Sequence, residues 1–346
     1  MTILVSIISE QSLPNYLFIK EFQQQADIFL FITTKDMENN GKSAALYETA
    51  SIDNSNRRKI TVDENELYLI QQKLDKLGWK NNPDKKFIVN ITGGTKLMSN
   101  AVYNYFKKLN SRFFYVPFGQ NAYQELLPEQ AVQRKRFTYA ISLHEYLSIY
   151  GISYAETEDV IPQAVCEHVF KSYQAAGFDK SRFPYPALRR LGYKAINNSI
   201  GTWFENMMYH RIRESLHLSE HQIGLNLELF DAKENDSIFQ HDNEIDIAFV
   251  RNNRIHIIEA KSSIGKNKLN ISNLYYHFYK LAAINKRFGL ASRAFVVSLT
   301  DIYTENQKRL ENIKQRCRIL NLQAPMDRSD IDNKHIFTQK INQITK

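Results

Sequence analysis

Apolar side chains along residues 1–120 alternate between short continuous runs and helical three-to-four-residue spacing. Ile3–Ile8 is a β-branched run of the kind carried by a parallel strand buried on both faces. The polar stretch Ser9–Asn15, with Pro14, predicts a loop, and Tyr16–Gln25, with Tyr16, Leu17, Ile19 and Phe22, a helix. Asp27–Thr33 is a second strand, and Asn65–Leu77 repeats Leu67, Ile70, Leu74 and Leu77 at helical steps. Lys86–Thr92 is a strand that runs into Gly93-Gly94. Thr95–Leu109 then carries Leu97, Met98, Ala101, Val102, Tyr105, Phe106 and Leu109, the pattern of an amphipathic helix, and Arg112–Phe118 is a further strand. Strands alternating with helices through right-handed crossovers predict a doubly wound parallel α/β sheet.

The pattern weakens between 120 and 200, where Leu143–Tyr150 and Val160–Ala176 read as helices and Gly177–Tyr193, with Pro184 and Pro186, as a connection. The last third has another order. Gly201–Leu216 is a helix and Ile223–Phe230 a strand. Glu244–Val250 and Arg254–Ala260 are strands joined by the hairpin turn Arg251-Asn252-Asn253. Leu274–Phe288 is a helix, Ala294–Leu299 a strand and Asn306–Leu320 a final helix. The expected division is a first domain over 1–145, a connecting segment over 146–200 and an α/β sandwich over 201–346.

A chain of 346 residues with 43% hydrophobic and 24% charged residues excludes a wholly disordered protein. No run reaches the ~18 apolar residues of a membrane span, so no membrane partner is expected. The apolar start Met1–Ser9 lacks a basic flank and a cleavage site and reads as a strand, not a signal peptide. Cys166 and Cys317 form neither a disulfide framework nor a thiolate zinc motif, so a reducing, cytoplasmic setting is expected. The net charge of +8 favours a polyanionic partner, though only weakly.

The sharpest chemistry lies on the second-domain hairpin. Asp246 opens one strand, and Glu259-Ala260-Lys261 closes the next. Residues two apart on a strand share a face, so Glu259 and Lys261 project together, and the hairpin returns Asp246 towards them. Asp246 and Glu259 are hard oxygen ligands suited to Mg²⁺ or Mn²⁺, with Glu205 on the preceding helix as a third carboxylate. Such an ion would lower the pKa of a bound water and stabilise charge on a phosphate in flight, and Lys261 could orient that water or neutralise the transition state. A Glu-x-Lys alone is ordinarily a solvated ion pair; the apolar hairpin around it is what makes the set unusual. Lys266, Lys268 and Lys280 follow this strand, and the run Tyr275-Tyr276-His277-Phe278-Tyr279 reads either as base-stacking surface or as helix packing.

In the first domain, Thr92-Gly93-Gly94-Thr95-Lys96 joins a strand to a helix start. Glycines there permit close approach, and free N–H groups favour phosphate. The segment satisfies neither the P-loop nor the dinucleotide fingerprint, and a plain glycine turn with a capping Thr accounts for it equally well.

Asp246, Glu259 and Lys261, with Glu205 as a less certain first acid, resemble the PD-(D/E)xK nuclease superfamily, although Ile245 replaces its proline. Ile91–Met98, the opening Val5–Asn15 and Ile28–Thr34 with Met37 resemble the CARF (CRISPR-associated Rossmann fold) sensors. The whole looks like the CRISPR ancillary nucleases: a Rossmann-like CARF sheet followed by a restriction-endonuclease-like α/β sandwich. The resemblance implies a homodimer, activated by a cyclic oligoadenylate such as cyclic tetra-adenylate, that cleaves nucleic acid with a divalent metal. It places the messenger against Thr92, Gly93, Gly94, Thr95 and Lys96, and against Ser9, Glu10 and Gln11. Two readings stay open beside it. One is a ligand-responsive nucleic-acid-binding regulator with a degenerate nuclease fold. The other is a messenger-independent restriction-type nuclease.

Overall fold

The alternating apolar runs of the amino-terminal part form a seven-stranded sheet. A computed structural model describes residues 1–82, 84–127, 129–156, 160–190, 200–231, 244–264, 269–303 and 306–346. They fall into two units: 1–152 with 289–291, and 153–288 with 292–346.

The first unit runs β1 (Thr2–Ile7), α1 (Ser12–Phe22), β2 (Ile28–Thr34), α2 (Lys35–Asn39), α3 (Lys42–Thr49), β3 (Arg57–Val62), α4 (Leu67–Asp75), β4 (Lys86–Asn90), α5 (Lys96–Phe106), β5 (Ser111–Tyr115), β6 (Ala122–Glu125), β7 (Arg134–Arg136) and α6 (Leu143–Ser148). The strand order is β3-β2-β1-β4-β5-β6-β7. The first five strands are parallel, and four of them, β1, β2, β4 and β5, are those the alternation predicts. The chain winds outward from β1 to β3, then returns to β4 on the other side of β1. The carboxyl ends of β1 and β4 therefore flank the switch point, where doubly wound sheets bind ligands. Ile3, Val5 and Ile7 on β1 pack with Val89 on β4 and with Met98, Ala101 and Val102 on α5.

Three features depart from the sequence reading. α1 starts at Ser12, inside the expected loop, because Pro14 sits in its first turn, where the missing N–H is no loss. β3 was not foreseen, since Arg57, Arg58 and Lys59 hide an edge strand whose charges suit an edge. β6 and β7 extend the parallel sheet with antiparallel strands.

The second unit carries β8 (Ile152–Ala155), α7 (Gln163–Ala175), α8 (Tyr185–Arg190), α9 (Ile200–Leu216), β9 (Ile223–Asp231), β10 (Glu244–Arg251), β11 (Arg254–Lys261), α10 (Ile271–Asn285), β12 (Arg293–Ser298), α11 (Gln307–Ile319), α12 (Arg328–Ile331) and α13 (Lys334–Ile344). Its sheet has the order β12-β11-β10-β9-β8. α11 is not the final helix: α13 follows and packs on α9, with Phe337 and Ile341 fully buried.

α9 is pinned on both flanks. The Trp203 ring lies among Phe170, Tyr173 and Phe183, and its Nε1–H donates to the Cys166 carbonyl at 3.2 Å. The buried Arg211 guanidinium forks onto Glu167 at 2.8 and 2.9 Å, donates to the Ile331 carbonyl at 2.6 Å and lies over the Phe170 ring. This clasp joins α7, α9 and α12, and it fixes the helix that carries Glu205.

Candidate active site and ligand loop

The β10–β11 hairpin closes through Asn252 and Asn253, at φ +51° and +58°, the backbone that a two-residue type I′ turn demands and that Asn tolerates. Its register pairs Ile247 with Ile258, and one step further sets Asp246 against Glu259. Two carboxylates directly opposite on one face repel each other. Lys261, two residues beyond Glu259 on the same face, answers both: its Nζ lies 2.8 Å from Asp246 Oδ2 and 2.9 Å from Glu259 Oε1. Asp246 Oδ2 also accepts from the Ala260 N–H at 2.7 Å. The acid–acid–lysine set expected from spacing alone thus converges at the end of the hairpin.

Two further residues complete the site. His277 on α10 brings Nδ1 to 3.2 Å from Glu259 Oε1. The sequence reading left it inside an aromatic run, because only the packing of α10 against β11 reveals its target. Asn226 on β9 adopts φ +51° in mid-strand and hydrogen-bonds Glu205, while its own Oδ1 is buried without a partner among the described residues. Lys266 and Lys268 lie outside the described residues.

The electrostatics show a site short of positive charge. Burial, then the Asp246 carboxylate, pushes Glu205 up to about 8. Burial, then Glu259, raises Asp246 above the usual aspartate range. Burial works against Glu259 too, but the His277 hydrogen bond and the Lys261 ammonium outweigh it and hold that carboxyl low. Lys261 is held above the usual lysine range by its two carboxylates, against the opposing effect of burial. Among the described residues no three His, Cys, Asp or Glu side chains stand close enough to form a ready metal cluster. The donors nonetheless fit a hard divalent cation. They are carboxylate oxygens, Asp246 and Glu259 buried and Glu205 partly so, and the raised Glu205 and Asp246 ionise more readily once positive charge arrives.

In the first unit, the loop after β4 is built against the end of β1. A Cβ on Gly93 would lie 2.1 Å from the Ile7 carbonyl oxygen, so glycine is obligatory there. Gly94 has φ +73°, and a Cβ would meet Ile7 Cγ2 at 2.5 Å. The Thr92 hydroxyl hydrogen-bonds Asn90 Oδ1 and accepts from the Val116 N–H at 2.8 Å. Thr95 caps α5 by accepting from the Met98 N–H at 3.3 Å. Both threonine side chains therefore shape the loop, and Lys96 stands exposed at the helix start. Ser9 lies close beside Gly93. Gln11 occupies the cap position of α1. The Glu10 carboxylate is turned towards Asn40 Nδ2 at 3.3 Å and Lys42 Nζ at 3.2 Å, which offsets its charge.

Residues 3–146 match the profile of the Card1 CARF domain, and residues 194–324 match that of the Card1-like endonuclease domain. The chain carries a Card1-type CARF domain followed by a Card1-like endonuclease domain. Ser9–Gln11 and Thr92–Lys96 fall within the CARF match, and Glu205, Asp246, Glu259 and Lys261 within the endonuclease match. Among solved structures, Can2 from Sulfobacillus thermosulfidooxidans, determined with cyclic tetra-adenylate, shares 18% identity at a TM-score of 0.72, with 99% of this chain and 100% of that one covered. A Vibrio cholerae protein, VC1899, shares 16% identity at a TM-score of 0.70, over 99% and 98%. A type III CRISPR defence DNA nuclease activated by cyclic oligoadenylate shares 14% identity at 0.58, covering 86% of this chain and 45% of that one. At these identities the likeness concerns the fold. No curated protein matches the sequence. Among the described residues of this Card1-type chain, no helix is long and apolar enough to cross a membrane.

Proposed function

We propose that this Card1-type protein is a homodimeric nuclease of type III CRISPR defence, working in the cytoplasm, switched on by a cyclic oligoadenylate and dependent on Mn²⁺ or Mg²⁺. The observation that carries the reading is the convergence of Asp246, Glu259 and Lys261 at the end of one hairpin in an endonuclease domain. A degenerate regulator has no reason to keep two buried like charges facing each other with one lysine between them.

Asp246 and Glu259, with Glu205 from α9, would hold the cation, which supplies Lewis acidity and positive charge for phosphodiester hydrolysis. Lys261 orients water and offsets charge that develops on the phosphate. His277 positions Glu259 from behind, as supporting hydrogen bonds do at metal sites.

The messenger reading is supported by the sheet switch point. There Gly94, Thr95 and Lys96 stand exposed at the start of α5, a seat for phosphate and ribose. Can2, similar over the full length, was solved with cyclic tetra-adenylate. Second-copy binding is supported by Leu67 (44% exposed), Tyr68 (69%), Leu69 (42%) and Leu97 (40%) at the starts of α4 and α5, where Thr95 Oγ1 bonds the Glu64 carbonyl. An apolar patch beside the ligand loop suits a two-fold pocket shared by two chains. The messenger acts by preferring the active arrangement of the dimer, and turning a mostly-off population mostly on takes about 5.5 kcal/mol of such preference. Cleavage of labelled DNA and RNA with and without cyclic tetra-adenylate and Mn²⁺ tests the reading. Cleavage indifferent to the messenger favours a restriction-type nuclease instead.

A further inference from the structure

α10 does more than support Glu259. His277 faces that carboxylate at 3.2 Å, and Lys280, one turn on, lies close enough to stabilise its charge. Tyr276 and Lys280 are four apart and share the next row of the helix, where Tyr276 is 63% exposed. The row beyond holds Tyr275 and Tyr279, again four apart. Arg316 of α11 lies over both rings, with its guanidinium carbon 4.9 Å from the Tyr275 centroid and 5.7 Å from that of Tyr279, and it also hydrogen-bonds the Tyr279 hydroxyl. Tyr279 is still 48% exposed, so the guanidinium fixes the ring without covering it. An arginine seated over two tyrosine rings and bonded to a hydroxyl, not a carboxylate, keeps its charge available. Lys314 and Arg318 flank it on the same helix.

Exposed aromatic faces interleaved with fixed cations, starting one helical turn from the acidic site, match a nucleic-acid strand with unpaired bases. Bases stack on the rings while phosphates meet Lys280 and Arg316. We infer that the α10–α11 flank, through Tyr276, Tyr279 and Arg316, is the seat on which the substrate strand lies as it leaves the scissile phosphate. This rests on the nuclease reading above. A duplex keeps its bases stacked inward and offers these rings nothing.

The test is anisotropy of fluorescein-labelled oligo-dT and oligo-U on full-length protein carrying Glu259→Gln to block cleavage, with cyclic tetra-adenylate present. Stacking contributions of this type predict that Tyr276→Ala or Tyr279→Ala raises the Kd about tenfold or more. Tyr276→Leu, which keeps apolar bulk without a π-face, does the same. Arg316→Lys weakens binding but keeps the salt dependence, and Arg316→Ala lowers both. A Tyr276→Ala/Tyr279→Ala protein that retains its unfolding midpoint and binds within about twofold of its parent overturns the seat. So does a duplex bound as tightly as the strand. If the parent binds no nucleic acid at all, the nuclease reading itself fails and takes the seat with it.

Discussion

Asp246 and Glu259 face each other across neighbouring strands, and a single ammonium, that of Lys261, lies within 2.9 Å of both. Without it the two carboxylates would be buried, like-charged and in register. Removing one member of such a buried set leaves an uncompensated charge, worth about 3–5 kcal/mol in comparable cases. Lys261→Ala is therefore expected to abolish cleavage and also to destabilise the endonuclease unit, seen as a lower denaturant midpoint. Mn²⁺ should return part of the lost stability, because the cation supplies the missing charge. A variant as stable as wild type, with or without Mn²⁺, contradicts this account of the site.

The titration behaviour of Glu205 gives a pH test. Its folded pKa, raised to about 8 by burial and Asp246, lies above its unfolded value. The folded state then holds a proton that the unfolded state has released, so the stability this group contributes is complete below the unfolded pKa and is lost as pH rises towards 8. The metal-free wild type should lose stability relative to Glu205→Gln through that window, and saturating Mn²⁺ should reverse the trend. Thermal unfolding of the two proteins across pH checks this, and parallel curves count against it.

His277→Phe keeps the ring volume but loses the bond to Glu259. Supporting hydrogen bonds of this kind are worth about 10–100-fold in activity or metal affinity. Cleavage is expected to fall by that factor with messenger affinity unchanged, and weaker Mn²⁺ binding in calorimetry separates positioning from a general loss of fold. Unchanged Mn²⁺ affinity and unchanged cleavage together would remove His277 from the site.

The ligand loop separates shape from charge. Gly93→Ala forces a methyl group into the Ile7 carbonyl and should destabilise the CARF unit. Lys96→Ala should leave the unfolding midpoint alone yet weaken cyclic tetra-adenylate binding by about tenfold, the share of one charge-assisted phosphate contact. Messenger affinity equal to wild type in Lys96→Ala moves the pocket elsewhere.

The strand period of two and the Asn252-Asn253 turn made Asp246, Glu259 and Lys261 legible in the sequence, since both are local rules. Four of the five parallel strands, β1, β2, β4 and β5, were legible for the same reason: each is a short apolar run. His277 and Asn226 were not, because their partners are set by how α10 and β9 lie beside the hairpin. β3 was hidden by its charged edge face, and α13 by a short pattern whose apolar side finds its partner in α9. Thr92 and Thr95 were readable as loop residues, but only the Val116 and Met98 N–H groups show that their hydroxyls hold the loop itself.

The most direct measurement is cleavage of labelled single-stranded DNA, RNA and supercoiled plasmid by wild type and Glu259→Gln, each with Mn²⁺ and with or without cyclic tetra-adenylate. The account predicts cleavage by the wild type only when messenger is present, and none by Glu259→Gln although it binds messenger equally well. Equal cleavage by the two proteins would contradict it.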